Sequence, residues 1–101
     1  MDLKKYVERI IAEQSNNTAL LPMYEYLPVD IILVNGNISL KSFKLIELIR
    51  DSEIKGLTRQ EEYSAPREGR LPVYCYLKLN EIKDLRCPYL EIDFALEKAS
   101  K

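Results

Sequence analysis

Histidine and tryptophan are absent from this 101-residue chain, glycine occurs three times and cysteine only twice, and each shortage removes a class of chemistry. Without histidine, Ser, Thr and Cys nucleophiles lack their usual activating base. Cys75 and Cys87 do not form a CxxC pair and cannot supply the four N/S ligands of a structural zinc site. Two cysteines are also too few for a disulfide framework, so free thiols and no metal or cofactor are expected. The longest wholly apolar runs, such as Ile31 to Val34, fall far short of the roughly 20 residues of a membrane span. Glu8 and Arg9 interrupt the N-terminal region where a signal peptide would need an unbroken apolar core. The cytosol is therefore the expected compartment.

Charge of one sign is lacking as well. Fifteen basic residues against sixteen acidic ones leave a net charge of -1, which gives no general field for nucleic acid, because phosphate affinity needs concentrated Lys and Arg. What is present is an apolar complement of 47%, enough for one core in one domain spanning residues 1–101 and too much for a disordered chain. The abundance of Ile, Glu, Lys and Tyr follows the direction in which thermophile sequences shift, a composition common in small proteins of thermophiles and their viruses.

Along the chain, Leu3, Tyr6, Val7, Ile10 and Ile11 recur at helical spacing, with Lys4, Lys5, Glu8, Arg9 and Glu13 on the other face. This predicts a first helix over Leu3 to Gln14, capped by Asp2 and ending in Ser15-Asn16-Asn17-Thr18. Pro22 and Pro28 bracket a short extended segment. Val29 to Val34 reads as a strand running into Asn35-Gly36, a dipeptide suited to a two-residue type I′ turn, with Asn37 to Leu40 as the return strand. From Phe43 to Ile54 the apolar residues are too dense for alternation and predict a second helix over Phe43 to Ser52, capped by Ser39 or Ser42 and ended by Gly56. Thr58-Arg59-Gln60-Glu61 matches a capping box and predicts a turn or two of helix before Pro66. Val73 to Leu79 and Leu90 to Leu96 alternate as strands, each with one core-facing row (Val73, Cys75, Leu77 and Leu79; Leu90, Ile92, Phe94 and Leu96), and a helical turn is expected between them over Asn80 to Cys87.

The expected fold is α+β: a small antiparallel sheet, made of the hairpin and two C-terminal strands, with two helices packed on one face in the order α-β-β-α-β-β. A sheet covered on one side commonly meets a second copy of itself, so a homodimer is expected.

No catalytic motif emerges. Asn35-Gly36-Asn37 lacks the glycine spacing and the Lys-Ser/Thr ending of a phosphate loop. Glu91-Ile92-Asp93, with Asp30 or Asp84 upstream, is similar to the acidic half of a PD-(D/E)xK nuclease site, but Asp93 stands where that pattern has lysine. The seven tyrosines carry more information, since tyrosine combines rigid contact area with a hydrogen-bonding tip and is enriched at interfaces. Tyr74 and Tyr76 share the strand face opposite Cys75, while Tyr63 lies among Arg59, Arg67 and Arg70 in a segment expected to be mobile and anchored only by Leu57, Tyr63 and Leu71. The reading is a non-enzymatic module that binds or occludes a partner protein through Tyr63, Arg67, Arg70, Tyr74 and Tyr76. The alternatives are a nucleic-acid-binding protein using Arg59, Arg67, Arg70 and Lys78, and a metal-dependent nuclease using Glu91 and Asp93.

Overall fold

A computed structural model describes residues 3–16 and 27–95. The cap at Asp2, the end of the first helix past Asn16, the segment between Pro22 and Tyr26 and the strand end at Leu96 lie outside these residues. The helix α1 runs over Leu3–Asn16 as its apolar spacing requires, and Leu3, Val7 and Ile10 are buried in the core. The strands β1 (Val29–Leu33), β2 (Ser39–Ile49) and β3 (Glu53–Leu57) follow as a meander, then α2 (Arg59–Arg67), β4 (Cys75–Lys78), β5 (Ile82–Cys87) and β6 (Ile92–Asp93). The fold is thus α+β, the described residues forming two α-helices and one six-stranded antiparallel sheet of order β4-β3-β2-β1-β5-β6.

The hairpin is formed in the predicted place, with Ile31 opposite Leu40 and Ile32 opposite Ser39. Its turn differs from type I′. Only Gly36 has positive φ (73°), and Val34 to Asn37 form a four-residue loop closed by the Leu33 N–H donating to Ile38 O at 2.8 Å. The cause lies across the sheet: the Val34 N–H donates to Glu81 O at 2.8 Å, which takes Val34 out of the β1–β2 ladder and lengthens the loop.

The second predicted helix, Phe43 to Ser52, is instead the outer half of β2 and the turn into β3. Strand β2 is shared: its first half pairs with β1 up to Phe43, and its second half pairs with β3 from Lys44 onward. Two irregularities allow this. Ser42 takes a φ of 53°, its N–H held by Asp30 Oδ1 at 3.1 Å, and a bulge between Leu45 and Glu47 shifts the register by one residue. The bulge places Phe43, Leu45 and Leu48 against the core in a spacing that mimics a helix. Gly56 is accordingly no helix cap but an inward-facing residue of β3, paired with Leu45 and Cys75. The β2–β3 turn has both Arg50 (φ 50°) and Asp51 (φ 61°) in the left-handed region, closed by the Ser52 N–H on Ile49 O.

Near the C-terminus, the helical turn expected over Asn80 to Cys87 is confined to a 3-10 turn at Leu79–Glu81, after which the chain becomes β5. The strand expected over Leu90 to Leu96 is reduced to β6, because Pro88–Leu90 form another 3-10 turn and Glu91 is left-handed (φ 55°). One cluster unites both halves of the sheet: Leu3, Val7 and Ile10 of α1 join Val29 and Ile31 of β1, Phe43 and Leu45 of β2, Ile54 of β3, Leu77 of β4 and Leu85 and Cys87 of β5 in it. Tyr6 and Phe94 seal one rim in an edge-to-face pair, their centroids 5.5 Å apart. Leu57 and Ala65 are buried outside this cluster, where β3 hands over to α2. Among the described residues no helix is long and apolar enough to cross a membrane.

Candidate interaction surface

Between Leu57 and Cys75 the chain builds a stapled unit. Thr58 is the N-cap of α2, its Oγ1 accepting the Glu61 N–H at 3.2 Å. The reciprocal half of the capping box is replaced, because the Glu61 carboxylate turns to Arg70. It receives the Nη1 and Nη2 N–H groups of Arg70, both at 2.8 Å, and the Val73 N–H at 2.9 Å. The other end of α2 stops in a Schellman motif. Gly69 (φ 65°) occupies the left-handed position, its N–H donates to Pro66 O, and the Arg70 N–H donates to Ala65 O. Arg70 Nε also donates to Glu68 Oε2 at 2.5 Å. The turn or two of helix expected from Thr58 is formed as a nine-residue helix that continues past Pro66 to Arg67, with both ends capped and its exit strapped to its entry.

The Arg70 guanidinium and the Val73 N–H hold the Glu61 carboxyl well below its usual 4.5, at about 2. A depressed carboxyl stabilises the fold fully above its unfolded value, and that contribution disappears as pH falls toward the folded value. Between about pH 4.5 and 2 the folded protein is expected to lose stability to urea more steeply than a Glu61→Gln variant does. Chemical denaturation at pH 7, 4 and 2.5 measures this, and equal slopes for the two proteins would show that the staple does not persist in solution.

The predicted site residues divide by role. Arg70 is committed to Glu61 and Glu68 and acts inside the chain. Arg67 is exposed in the last turn of α2. Tyr63 is 60% exposed on α2, with the Arg59 guanidinium 5.6 Å from its ring centre. Tyr74 is 38% and Tyr76 53% exposed beside β3, with Lys55 Nζ 4.3 Å from the Tyr74 ring centre. The structure adds two residues to the surface. Leu71, 87% exposed, was expected to anchor the segment, and Val73, 67% exposed, to face the core. Both lie before β4 begins, where no neighbouring strand covers them. Pro72 between them is the sequence signal for this, since proline is confined to sheet edges and strand starts.

Among the described residues, strand β4 is an edge, paired with β3 alone. The Leu79 N–H donates to Ser52 O at 2.9 Å, which fixes the phase of the ladder: Cys75 and Leu77 direct their amides toward β3, and Tyr76 and Lys78 direct theirs outward. Among the described residues, four of the eight large exposed apolar side chains, namely Leu71, Val73, Tyr74 and Tyr76, fall on or just before this open edge, and a fifth, Tyr63, lies on α2.

Elsewhere the chemistry is sparse. A shallow depression of about 650 Å³ surrounds the β2–β3 turn, with Arg50 and Lys78 offset by Asp51 and Glu53, and Lys4 pairs with Asp51 at 3.4 Å. Glu91 and Asp93 do not share a strand face, since Glu91 sits in the left-handed turn before β6 and Asp93 pairs with Arg86 at 3.0 Å. Among the described residues no three His, Cys, Asp or Glu side chains converge on a metal-sized space. Cys87 is buried and Cys75 half-buried, both free, and burial pushes both thiols above their usual range. No protein-family model matches the chain, and comparison with curated proteins and with solved structures gives no match.

Proposed function

We propose that the chain is a small non-enzymatic interaction module that captures a partner polypeptide on the open edge of β4. The observation that carries this reading is the coincidence of an unpaired strand edge with Leu71, Val73, Tyr74 and Tyr76 exposed along it. In β-strand addition, outward amides supply affinity and alternate side chains supply selectivity, and both are available here. Arg67 and Tyr63 extend the contact onto α2, while Arg70 holds α2 in place. Nucleic acid is a poorer occupant, because Arg70, one of the four cations it would use, is already neutralised by two carboxylates.

Affinity purification from native extract tests the reading with wild type and with Tyr76→Glu, a substitution at an exposed position that leaves the melting temperature within about 2 °C. A stoichiometric protein partner recovered by wild type and lost by the variant is expected. Equal recovery by both, or retention of nucleic acid in place of protein, would place binding elsewhere.

A further inference from the structure

The open edge has a pattern that its own sequence completes. Segment 71–79 reads Leu-Pro-Val-Tyr-Cys-Tyr-Leu-Lys-Leu, and Leu71, Val73, Cys75, Leu77 and Leu79 fall in one phase. We propose that the occupant of this edge is a second copy of the chain, paired antiparallel about a two-fold axis at Cys75, with residues 71–74, which lie ahead of β4 in the single chain, joining the ladder so that β4 of each copy extends the sheet of the other. This rests on the reading of β4 as the interaction edge.

Register decides it. A two-fold axis normal to the sheet requires one residue to face its own copy, so the axis passes one of the residues from 74 to 77. With the axis at Cys75, Val73 meets Leu77 of the second copy and Leu71 meets Leu79, which covers the two most exposed apolar side chains of the segment. On the outer face Tyr74 meets Tyr76, an aromatic cross-strand pair formed twice, and Lys78 meets Pro72. No like charges face each other. At Tyr74 the axis would set Lys78 against Arg70. At Tyr76 it would set Leu71 against Glu81, and at Leu77 it would set Val73 against Glu81.

The hydrogen bonding agrees. Tyr74 and Tyr76 carry their amides in the outward phase, so each Tyr74–Tyr76 pair closes two N–H···O bonds, and the Cys75 pair is a non-hydrogen-bonded one. Pro72, which has no N–H, loses one bond at each margin. The surface covered is on the order of 400–500 Å² per copy, estimated from two half-exposed tyrosines and two aliphatic side chains. That totals about 800–1,000 Å² for the pair, below the size of stable specific interfaces and in the range of weak, transient ones, and it fits a dimer of micromolar or weaker affinity.

Sedimentation equilibrium and thiol cross-linking of the purified chain test the proposal together. Wild type is expected to dimerise at tens of micromolar, Val73→Glu to weaken the dimer on the order of 100-fold by setting a carboxylate against Leu77 of the second copy, and Val34→Glu, on the β1–β2 loop, to leave it intact. Mild oxidation at alkaline pH should link Cys75 to Cys75, whose Cβ atoms stand roughly 5 Å apart in such a pair. Tyr76→Cys in a Cys75→Ser background should cross-link far more slowly. A dimer dissolved by Val34→Glu and not by Val73→Glu, or linked faster at 76 than at 75, overturns the proposal. So does a monomer at several hundred micromolar. If that monomer still captures a different protein through Tyr76, self-pairing fails while the interaction edge stands; if Tyr76→Glu changes no capture either, both fall.

Discussion

Gly56→Ala is expected to destabilise the fold by about 3 kcal/mol, the upper end of the usual cost of overpacking a core. The added Cβ would lie 2.1 Å from Cε1 and 2.3 Å from Cζ of Phe43, and 2.6 Å from the carbonyl oxygen of Lys44. A flexible side chain could retreat, but Phe43 is fully buried at the centre of the cluster and the carbonyl belongs to the backbone of β2. The ring lies flush on the glycine where β2 turns from one half of the sheet to the other. For a domain of this size such a loss lowers the melting temperature by roughly 15 °C. Phe43→Leu in the same chain should recover part of the deficit by withdrawing the ring atoms, leaving the share due to the Lys44 carbonyl. A thermal melt of the two single variants and the double variant reads the coupling. Strict additivity would show that ring and glycine do not meet in solution.

Gln14→Ala should produce the second large effect, about 2 kcal/mol, although the residue is neither apolar nor catalytic. Its side-chain amide donates to Leu45 O at 2.9 Å and its carbonyl accepts the Leu27 N–H at 3.0 Å. Leu45 is the last regular residue before the bulge of β2, so one side chain ties α1 to the irregular point of the sheet and to the chain entering β1. Truncation leaves a donor and an acceptor partly enclosed without partners, each costing about 1 kcal/mol or more. Gln14→Glu separates the two bonds. A carboxylate still accepts from Leu27 but opposes the Leu45 carbonyl, and protonation restores the donor. The deficit of this variant relative to wild type is therefore expected to shrink as pH falls through about 4.3. A deficit that stays constant from pH 7 to pH 3.5 in urea titrations would detach Gln14 from Leu45.

These two residues mark where sequence patterns stopped being readable. Helix α1, the β1–β2 hairpin and β4 follow simple periods, and each was legible because one face of each meets the core and the other meets solvent. Strand β2 was not. Its bulge inserts a residue between Leu45 and Leu48, and Ile46 and Ile49 are half-buried as well, so apolar residues cluster as they would on a broad helical face. Strand β5 misleads similarly: Ile82, Leu85 and Cys87 are buried at a spacing of three and then two, because its register against β1 shifts between Ile32 and Leu33. At the candidate surface the tyrosines were found by residue type. The role of Arg70 was hidden, since a bond from Arg70 to Glu61 depends on where the Schellman turn returns the chain. Leu71 and Val73 were assigned inward because alternation specifies a face but not how far the neighbouring strand extends.

The order of the strands also carries a kinetic consequence. Every pairing of the sheet joins residues no more than 25 positions apart except one, the pairing of β1 with β5, which brings Ile31 beside Leu85 across roughly fifty residues of chain. Closing so long a loop costs about 2 kcal/mol more in entropy than closing a hairpin. The β1–β2–β3 meander can assemble early and locally, whereas this seam must wait until both of its margins exist. It is then a candidate for the barrier crossing itself, and substitutions at Leu85 should slow folding while those on α2 chiefly hasten unfolding.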